Sequence, residues 1–294
     1  MECIINPVNA NTMFAAVQFG SIRRSTNGGN SFSVVLTPDQ VGDNGGWVTP
    51  YVLDPNNPNH IYVGYTELYR STNGGNTFTQ ISNLNNSNTL RIVEVCKANS
   101  SVIYLGRGSN VFRSSNGGTS FTNVTGNLPN KTVTSIITDP TDADRIWVSL
   151  SGYTSGQKVF FSSTGGSSWT NLSTGLPNLP ANCLLYREGS SDEIYCGTDV
   201  GIYTLSGNSG SWTTFGTGLP NVVVEELEIT YSISKIRAAT YGRGMWEADL
   251  PSGCATDVVA PVITCPNNIP AFFAVGPSSC EVTVTLPAAT ATDD

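Results

Sequence analysis

The sequence predicts an all-β propeller built from four-stranded blades, and three observations lead to this expectation. A nine-residue motif recurs at intervals of 46, 43 and 48 residues, which is the length of one blade. An alternating apolar segment, typical of a half-buried strand, precedes each copy. The chain also contains 30 glycines and only 12% charged residues, a composition that suits short strands joined by tight turns.

The motif reads RSTNGGNSF, RSTNGGNTF, RSSNGGTSF and FSSTGGSSW in its four clear copies. A degenerate fifth copy ends at Trp212. The second unit illustrates the pattern of strands. TPYVLDP is predicted as strand A, HIYVGY as strand B, ELYRST as strand C and NTFTQI as strand D. Four such antiparallel strands make a propeller blade.

The motif has a physical reason, because a tight turn between strands C and D needs residues that accept positive φ. Asn-Gly-Gly meets this need, the Asn side chain can bond turn backbone groups, and the closing aromatic ring can be buried between blades. The predicted structural turn residues are Ser25, Asn27, Gly29, Phe32, Ser71, Asn73, Gly75, Phe78, Ser114, Asn116, Gly118, Phe121, Ser162, Gly166 and Trp169.

On these residues, S-x-N-x-G-x-x-F/W resembles the Asp-box, or BNR repeat, of sialidases, xyloglucanase-type glycoside hydrolases and sortilin-like receptors. Asn replaces the usual Asp, and Thr164 replaces it in one copy. The resemblance covers residues 1 to about 250. It implies the propeller fold but does not choose a function, because the box occurs in both enzymes and receptors.

The propeller is predicted to span residues 1–251, and its sixth unit lacks a strand D after GMWEADL. Propellers close by borrowing a strand from the other end of the chain. We therefore expect this chain to be a segment of a longer protein with further blades, the alternative being a six-bladed ring that closes loosely.

Residues 256–294 change in character and are rich in Pro, Ala, Thr and Val. The opening P-V-I-T-C-P-x-N-I, Cys280 and the closing A-T-A-T-D resemble the first half of a hyalin repeat (HYR). This resemblance implies the start of an immunoglobulin-like β-sandwich in an adhesion module.

Cys183 and Cys196 flank a predicted hairpin. Pairing Tyr186 with Glu193 would place the two cysteines opposite each other, which favours a disulfide and an oxidising compartment over two buried thiols.

Charge and motifs exclude several classes of function. The net charge of -8 and the absence of a basic stripe argue against nucleic acid as a partner, and no apolar run is long enough to insert into a membrane. No cofactor or metal site is predicted. Asp139, Asp142 and Asp144 could bind calcium, but ordinary turn chemistry is the preferred interpretation.

Ligand binding is expected on the face opposite the motif turns, where the B-to-C and D-to-A loops lie. The alternative is that these are ordinary rim residues. The candidates are Trp47, Tyr65, Glu67, Arg107, Tyr153, Asp199, Tyr241 and Arg243.

Rings and hydrogen-bonding charges of this kind suit a glycan or a protein loop. A hydrolase would need two acids roughly 5–10 Å apart, and only Asp43, Glu67 and Asp199 are candidates. The sequence therefore favours a non-catalytic module of a secreted or cell-surface, bacterial, multidomain protein that acts in adhesion or display. Its partners would be that ligand and further domains or copies of the protein. A carbohydrate-active hydrolase is the alternative.

Overall fold

The computed structural model describes residues 3–85, 87–208, 210–251, 262–264 and 290–292. It contains an all-β propeller, as the repeat predicts, with six blades in the described residues. Five blades have four antiparallel strands in sequence order, and the sixth has three. The first three blades comprise β1–β4 (Cys3–Ile5, Met13–Ala16, Ile22–Ser25, Ser33–Leu36), β5–β8 (Tyr51–Leu53, Ile61–Gly64, Leu68–Ser71, Thr79–Gln80) and β9–β12 (Ile92–Val95, Ile103–Arg107, Asn110–Ser114, Thr122–Asn123).

The remaining strands continue the same order. They are β13–β16 (Val133–Thr138, Ile146–Leu150, Val159–Ser162, Thr170–Asn171), β17–β20 (Ala181–Tyr186, Glu193–Thr198, Gly201–Ser206, Thr213–Phe215) and β21–β23 (Val224–Thr230, Lys235–Thr240, Gly244–Asp249). The described helical segments are short: α1 (Pro38–Val41) and two 3-10 turns, Gln18–Gly20 and Tyr231–Ile233.

The core lies between neighbouring blades rather than inside any one of them. One cluster joins Phe14 and Ile22 of the first blade to Tyr51 and Ile61 of the second. Four further clusters join the later blades in the same way, through alternate residues of the middle strands. Since each single blade is only one sheet thick, its apolar faces are buried only when a neighbour packs against them.

The motif turns, hereafter the repeat turns (residues 25–32, 71–78, 114–121 and 162–169), have closely similar geometry. In the second, the Ser71 hydroxyl accepts a hydrogen bond from the Gly75 amide at 2.8 Å and donates to the Asn73 amide oxygen at 2.9 Å. The expected positive φ is present, at 86° for Gly75 and 91° for Gly118. The serine is therefore a buried bridge that closes the turn.

The closing aromatic residues of the repeat turns differ in burial. Trp169 is 6% exposed, Phe78 and Phe121 are half-buried, and Phe32 is 38% exposed, so the predicted burial of Phe32 is wrong. The physical reason is order along the chain. Phe78 and Phe121 pack on clusters shared with the preceding blade, whereas Phe32 belongs to the first blade and joins no described apolar cluster.

The predicted disulfide is also wrong, and both cysteines are free thiols. Tyr186 pairs with Ile194 rather than Glu193, so Cys196 faces Leu184 and Cys183 faces Gly197. Because neighbouring residues of a strand point to opposite faces, this shift separates the two sulfur atoms. Burial raises the pKa of the Cys183 thiol to about 12.

Residues 1–250 form one compact unit and residues 251–294 a second. In the second unit, the described strands β24 (Val262–Thr264) and β25 (Thr290–Thr292) pair antiparallel. The HYR-like and immunoglobulin-like assignment falls on residues outside the described ones and stays a prediction.

Candidate functional site

The strand order divides the loops between two faces of the propeller. Antiparallel strands place the A-to-B turns and the repeat turns at one end, which we call the repeat-turn face, and the B-to-C and D-to-A loops at the other, the opposite face. All the candidates lie in loops or at strand ends of the opposite face. They separate into exposed side chains and side chains that hold the loops together.

An exposed aromatic pair is the most distinctive feature of the opposite face. The rings of Phe19 and Trp47 meet edge to face, with centroids 5.3 Å apart and planes at 88°. Phe19 is 57% and Trp47 64% exposed, and the neighbouring Val48 is also exposed. Large apolar rings that stay in water on adjacent loops offer a contact surface to a ligand.

The backbone holds Phe19 in an unusual position. Its φ of 61° lies in the left-handed region, which a bulky residue adopts only at an energetic cost. The Tyr65 hydroxyl donates to the Gly20 carbonyl at 2.6 Å and anchors the turn from below. A side chain at Gly45 would lie 2.3 Å from the Phe19 carbonyl oxygen, so the second loop approaches as closely as glycine allows.

Tyr65, Glu67 and Arg107 are structural rather than exposed. Tyr65 is fully buried and Arg107 is 3% exposed. The guanidinium of Arg107 lies 5.1 Å from the centre of the Phe112 ring and donates weakly to the carbonyls of Thr66 and Leu84, each at 3.4 Å. Burial lowers the pKa of Arg107 and raises that of Tyr65. Under the surface, Arg107 joins the third blade to the second, and Tyr65 joins the second blade to the first through Gly20.

The carboxylates of Asp43 and Glu67 are occupied by loop groups. Asp43 accepts hydrogen bonds from the Thr66 hydroxyl and, at 3.0 Å, from the Glu67 amide. Glu67 accepts from the Ser82 hydroxyl and, at 2.8 Å, from the Leu84 amide. Carboxylates engaged in this way serve as caps for the loop backbone.

Asp199 and Tyr153 belong to a second area of the opposite face, on the fourth and fifth blades. Asp199 accepts from the Asn182 amide at 3.0 Å, and Tyr153 is 69% exposed. Beside them Lys158 is almost fully buried and donates to the Gly152 carbonyl. Burial lowers the pKa of Lys158, and the nearby charge of Asp199 opposes that shift. Tyr241 and Arg243 are exposed on the loop of the sixth blade.

One of the innermost strands carries a further titratable group with an unusual environment. Glu94 on β9 accepts a hydrogen bond from Thr138 on β13 at 2.8 Å and lines a cavity of about 290 Å³ together with Lys97 and Glu188. Burial raises the pKa of this carboxyl to about 7.

The aspartates that could have bound calcium have ordinary turn roles. Asp139 accepts from Thr141 and pairs with Arg145 at 2.9 Å, Asp142 caps the Asp144 amide, and Asp144 pairs with Arg113. In the described part of the chain, no cluster of His, Cys, Asp and Glu could hold a metal ion.

Sequence reasoning missed Phe19, Lys158 and Glu94. The signal for Phe19 was an aromatic residue next to glycine in a short B-to-C loop. Glu94 could have been found as the one acid within the apolar strand IVEV.

A family model for sortilin and Vps10, described as sortilin, neurotensin receptor 3, matches residues 66–201. This range is less than half of the chain. The comparison with curated proteins found no match.

Comparison with solved structures supports the propeller fold of this chain. An ancestral GH74 enzyme is 25% identical, with a TM-score of 0.55 over 67% of this chain and 28% of its own. The GH74 xyloglucanase from Xanthomonas campestris is 14% identical, with a TM-score of 0.63 over 84% of this chain and 43% of its own. The extracellular domain of a putative one-component system from B. thetaiotaomicron is 16% identical, with a TM-score of 0.59 over 83% of this chain and 32% of its own.

The chain thus spans less than half the length of each of these three structures. Its propeller fold is similar to those of the GH74 enzymes and of this extracellular domain. Among the described residues, no helix is long and apolar enough to cross a membrane.

Proposed function

We propose that this propeller is a non-catalytic, glycan-binding module of a larger secreted or cell-surface protein, acting in adhesion or display. The observation that carries the proposal is the exposed Phe19–Trp47 pair. A pyranose ring has an apolar face that packs against aromatic rings, and the hydroxyls at its edge remain free to bond polar loop groups.

The backbone strain at Phe19 supports this role. A bulky residue in the left-handed region costs on the order of 1–3 kcal/mol, and the ring is too exposed to recover that energy by burial within the propeller. Strain that packing does not offset is typical of ligand-binding positions. Exposed Tyr153 and Tyr241 on other loops of the same face extend the surface that a long glycan could contact.

The chemistry of the carboxylates supports a non-catalytic role. A hydrolase needs one acid that protonates the leaving group and another that attacks or activates water. Asp43 and Glu67, two of the three candidate acids, instead use their oxygens to hold loop amides and hydroxyls.

The test is binding of soluble β-glucans and sialosides to the full chain by isothermal titration calorimetry. Trp47→Ala and Phe19→Ala should each weaken binding at least tenfold, because each removes one ring of the pair. Tyr231→Ala is the matched control, since it removes a half-exposed ring on the repeat-turn face, and binding should be unchanged.

Released sugar is measured in parallel to test the hydrolase alternative. Turnover that is abolished by Glu67→Ala or Asp199→Ala would overturn the non-catalytic role. Equal loss of binding in the Trp47 and Tyr231 variants would overturn the assignment of the site.

A further inference from the structure

The sixth blade presents an unpaired strand edge in the described residues. In each of the other blades the third strand pairs with a fourth, as β15 does with β16 and β19 with β20. Among the described strands, the third strand of the sixth blade, β23, pairs only with β22. Its side chains are mostly exposed, and Met245 is 83% exposed. An edge with free N–H and C=O groups can accept another strand.

In the fourth and fifth blades, a tryptophan precedes the fourth strand and packs against the preceding blade. Trp169 precedes β16, and its Nε1 donates to the Val124 carbonyl of the preceding blade at 3.0 Å. Trp212 precedes β20, and its Nε1 donates to the Leu172 carbonyl at 2.6 Å. Both indoles are buried, at 6% and 3% exposed. Each ring thereby fastens its blade to the linker that follows the previous fourth strand.

The same linker occurs a third time. TNVTGNLPN (122–130), TNLSTGLPN (170–178) and TTFGTGLPN (213–221) are each nine residues long, and Phe215 takes the place of Val124 and Leu172. The third linker lines an apolar cleft together with the sixth blade, which we call the indole cleft. Its walls include Phe215, Gly216, Leu219, Ala238, Trp246 and Ala248.

The cleft therefore lies where the first two linkers each hold a tryptophan. Ala238 pairs with Trp246 across the sixth blade, as Val148 pairs with Phe160 across the fourth. In the fourth blade, Phe160 packs in one cluster with Trp169. The same contact in the sixth blade would bring an incoming indole against Trp246.

We propose that the β23 edge and the indole cleft form a docking site for an extended segment of another polypeptide that carries tryptophan followed by Thr-Asn or a similar pair. The segment pairs antiparallel with β23. Its indole enters the cleft, and Nε1 is directed at the Phe215 carbonyl. This inference does not depend on the glycan site, which lies in the loops of the first two blades.

The test uses a fluorescent peptide with the sequence of residues 166–173, GSSWTNLS, added in trans to the full chain. Binding is measured by fluorescence anisotropy. The parent peptide should bind saturably, and a peptide carrying Trp169→Ala should bind at least tenfold more weakly. A peptide in which Thr170 and Asn171 are both proline should also fail, because proline cannot pair with a strand edge.

Two protein variants locate the site. Ala248→Arg fills the cleft and should abolish binding, whereas Ala10→Arg, at an exposed alanine of the first blade, should leave it unchanged. The thermal melt of each variant establishes that it is folded. Equal binding of the parent and Trp169→Ala peptides would overturn the proposal, and so would no binding by any peptide, the result expected if the chain's own residues cover the edge.

Discussion

The two faces of the propeller differ in how regular their turns and loops are. On the repeat-turn face the same serine bridge returns with nearly the same geometry, since the serine hydroxyl accepts from the glycine amide at 2.9, 2.8, 2.9 and 2.9 Å in the four copies. On the opposite face three D-to-A linkers share a sequence, but the B-to-C loops differ from blade to blade, and in the described residues the exposed aromatic pair and the buried Lys158 each occur once. The repeated turns serve to fold each blade, and the loops that vary between blades lie on the face available for binding.

The largest effect should come from adding a side chain to a repeat turn. Gly118 has φ of 91°, and a Cβ there would lie 2.6 Å from the Ile81 Cδ1. Gly118→Val should therefore destabilise the propeller by about 3 kcal/mol or more, through backbone strain and overpacking together.

The matched control is Gly108→Val on the opposite face. Gly108 also has positive φ, at 57°, but nothing lies within 4 Å of its Cβ position. We expect a loss of about 1–2 kcal/mol from strain alone. Urea unfolding measures both values, and equal losses would contradict the view that the repeat turn is the more closely packed of the two.

The stability of the propeller should depend on pH through Glu94. The folded-state pKa of Glu94, about 7, lies above the ordinary value of 4.5. Its stabilising contribution is thus fully present below about pH 4.5 and is lost as the pH rises through 7, by at most about 3 kcal/mol.

Glu94→Gln keeps the shape of the side chain and cannot ionise. Its stability should vary less than that of the parent between pH 5 and 8, as measured by thermal melts at each pH. The other charges that line the cavity, Lys97 and Glu188, are unchanged in this variant. Parallel pH profiles for parent and variant would exclude Glu94 as the source.

A smaller effect should follow from removing one serine bridge. Ser71→Ala leaves the buried Gly75 amide without its acceptor, so we expect a loss of about 2 kcal/mol in unfolding free energy. Trp47→Ala on the opposite face should lose only about 0.5 kcal/mol because its ring is already in water. A larger loss from Trp47→Ala would mean that the aromatic pair helps to hold the fold.

The sequence predicted the repeated part of the molecule well, because each copy of the motif shows the same requirements of the turn and its flanking strands. Turn glycines, strand order and, among the described strands, a sixth blade of only three strands all followed from the motif and its spacing. It could not predict how side chains combine across blades. Tyr65 and Arg107 have the composition of a binding site, and only the packing of the second blade on its neighbours reveals that they are buried. The Cys183–Cys196 prediction failed because a shift of one residue in the pairing of the two strands decides which face of the sheet a cysteine occupies.

The smallest effect concerns the one repeat turn that departs from the motif. In the second turn, Asn73 uses two atoms: its oxygen accepts from Ser71 at 2.9 Å and from the Thr77 amide at 3.0 Å, and its nitrogen donates to the Thr77 hydroxyl at 2.8 Å. In the fourth turn, the single hydroxyl of Thr164 serves Ser162 at 3.2 Å, the Ser168 amide at 3.1 Å and the Ser168 hydroxyl at 3.2 Å. One oxygen with one proton makes these contacts longer.

Thr164→Asn should therefore stabilise the propeller by about 0.5 kcal/mol, and Asn73→Thr should destabilise it by about the same amount. Urea unfolding of the two variants measures both changes against the parent. Opposite signs would show that the amide side chain itself strengthens the turn, whereas a loss in both variants would mean that each turn is adapted to its own residue and that the repeat-turn face is less uniform than its geometry suggests.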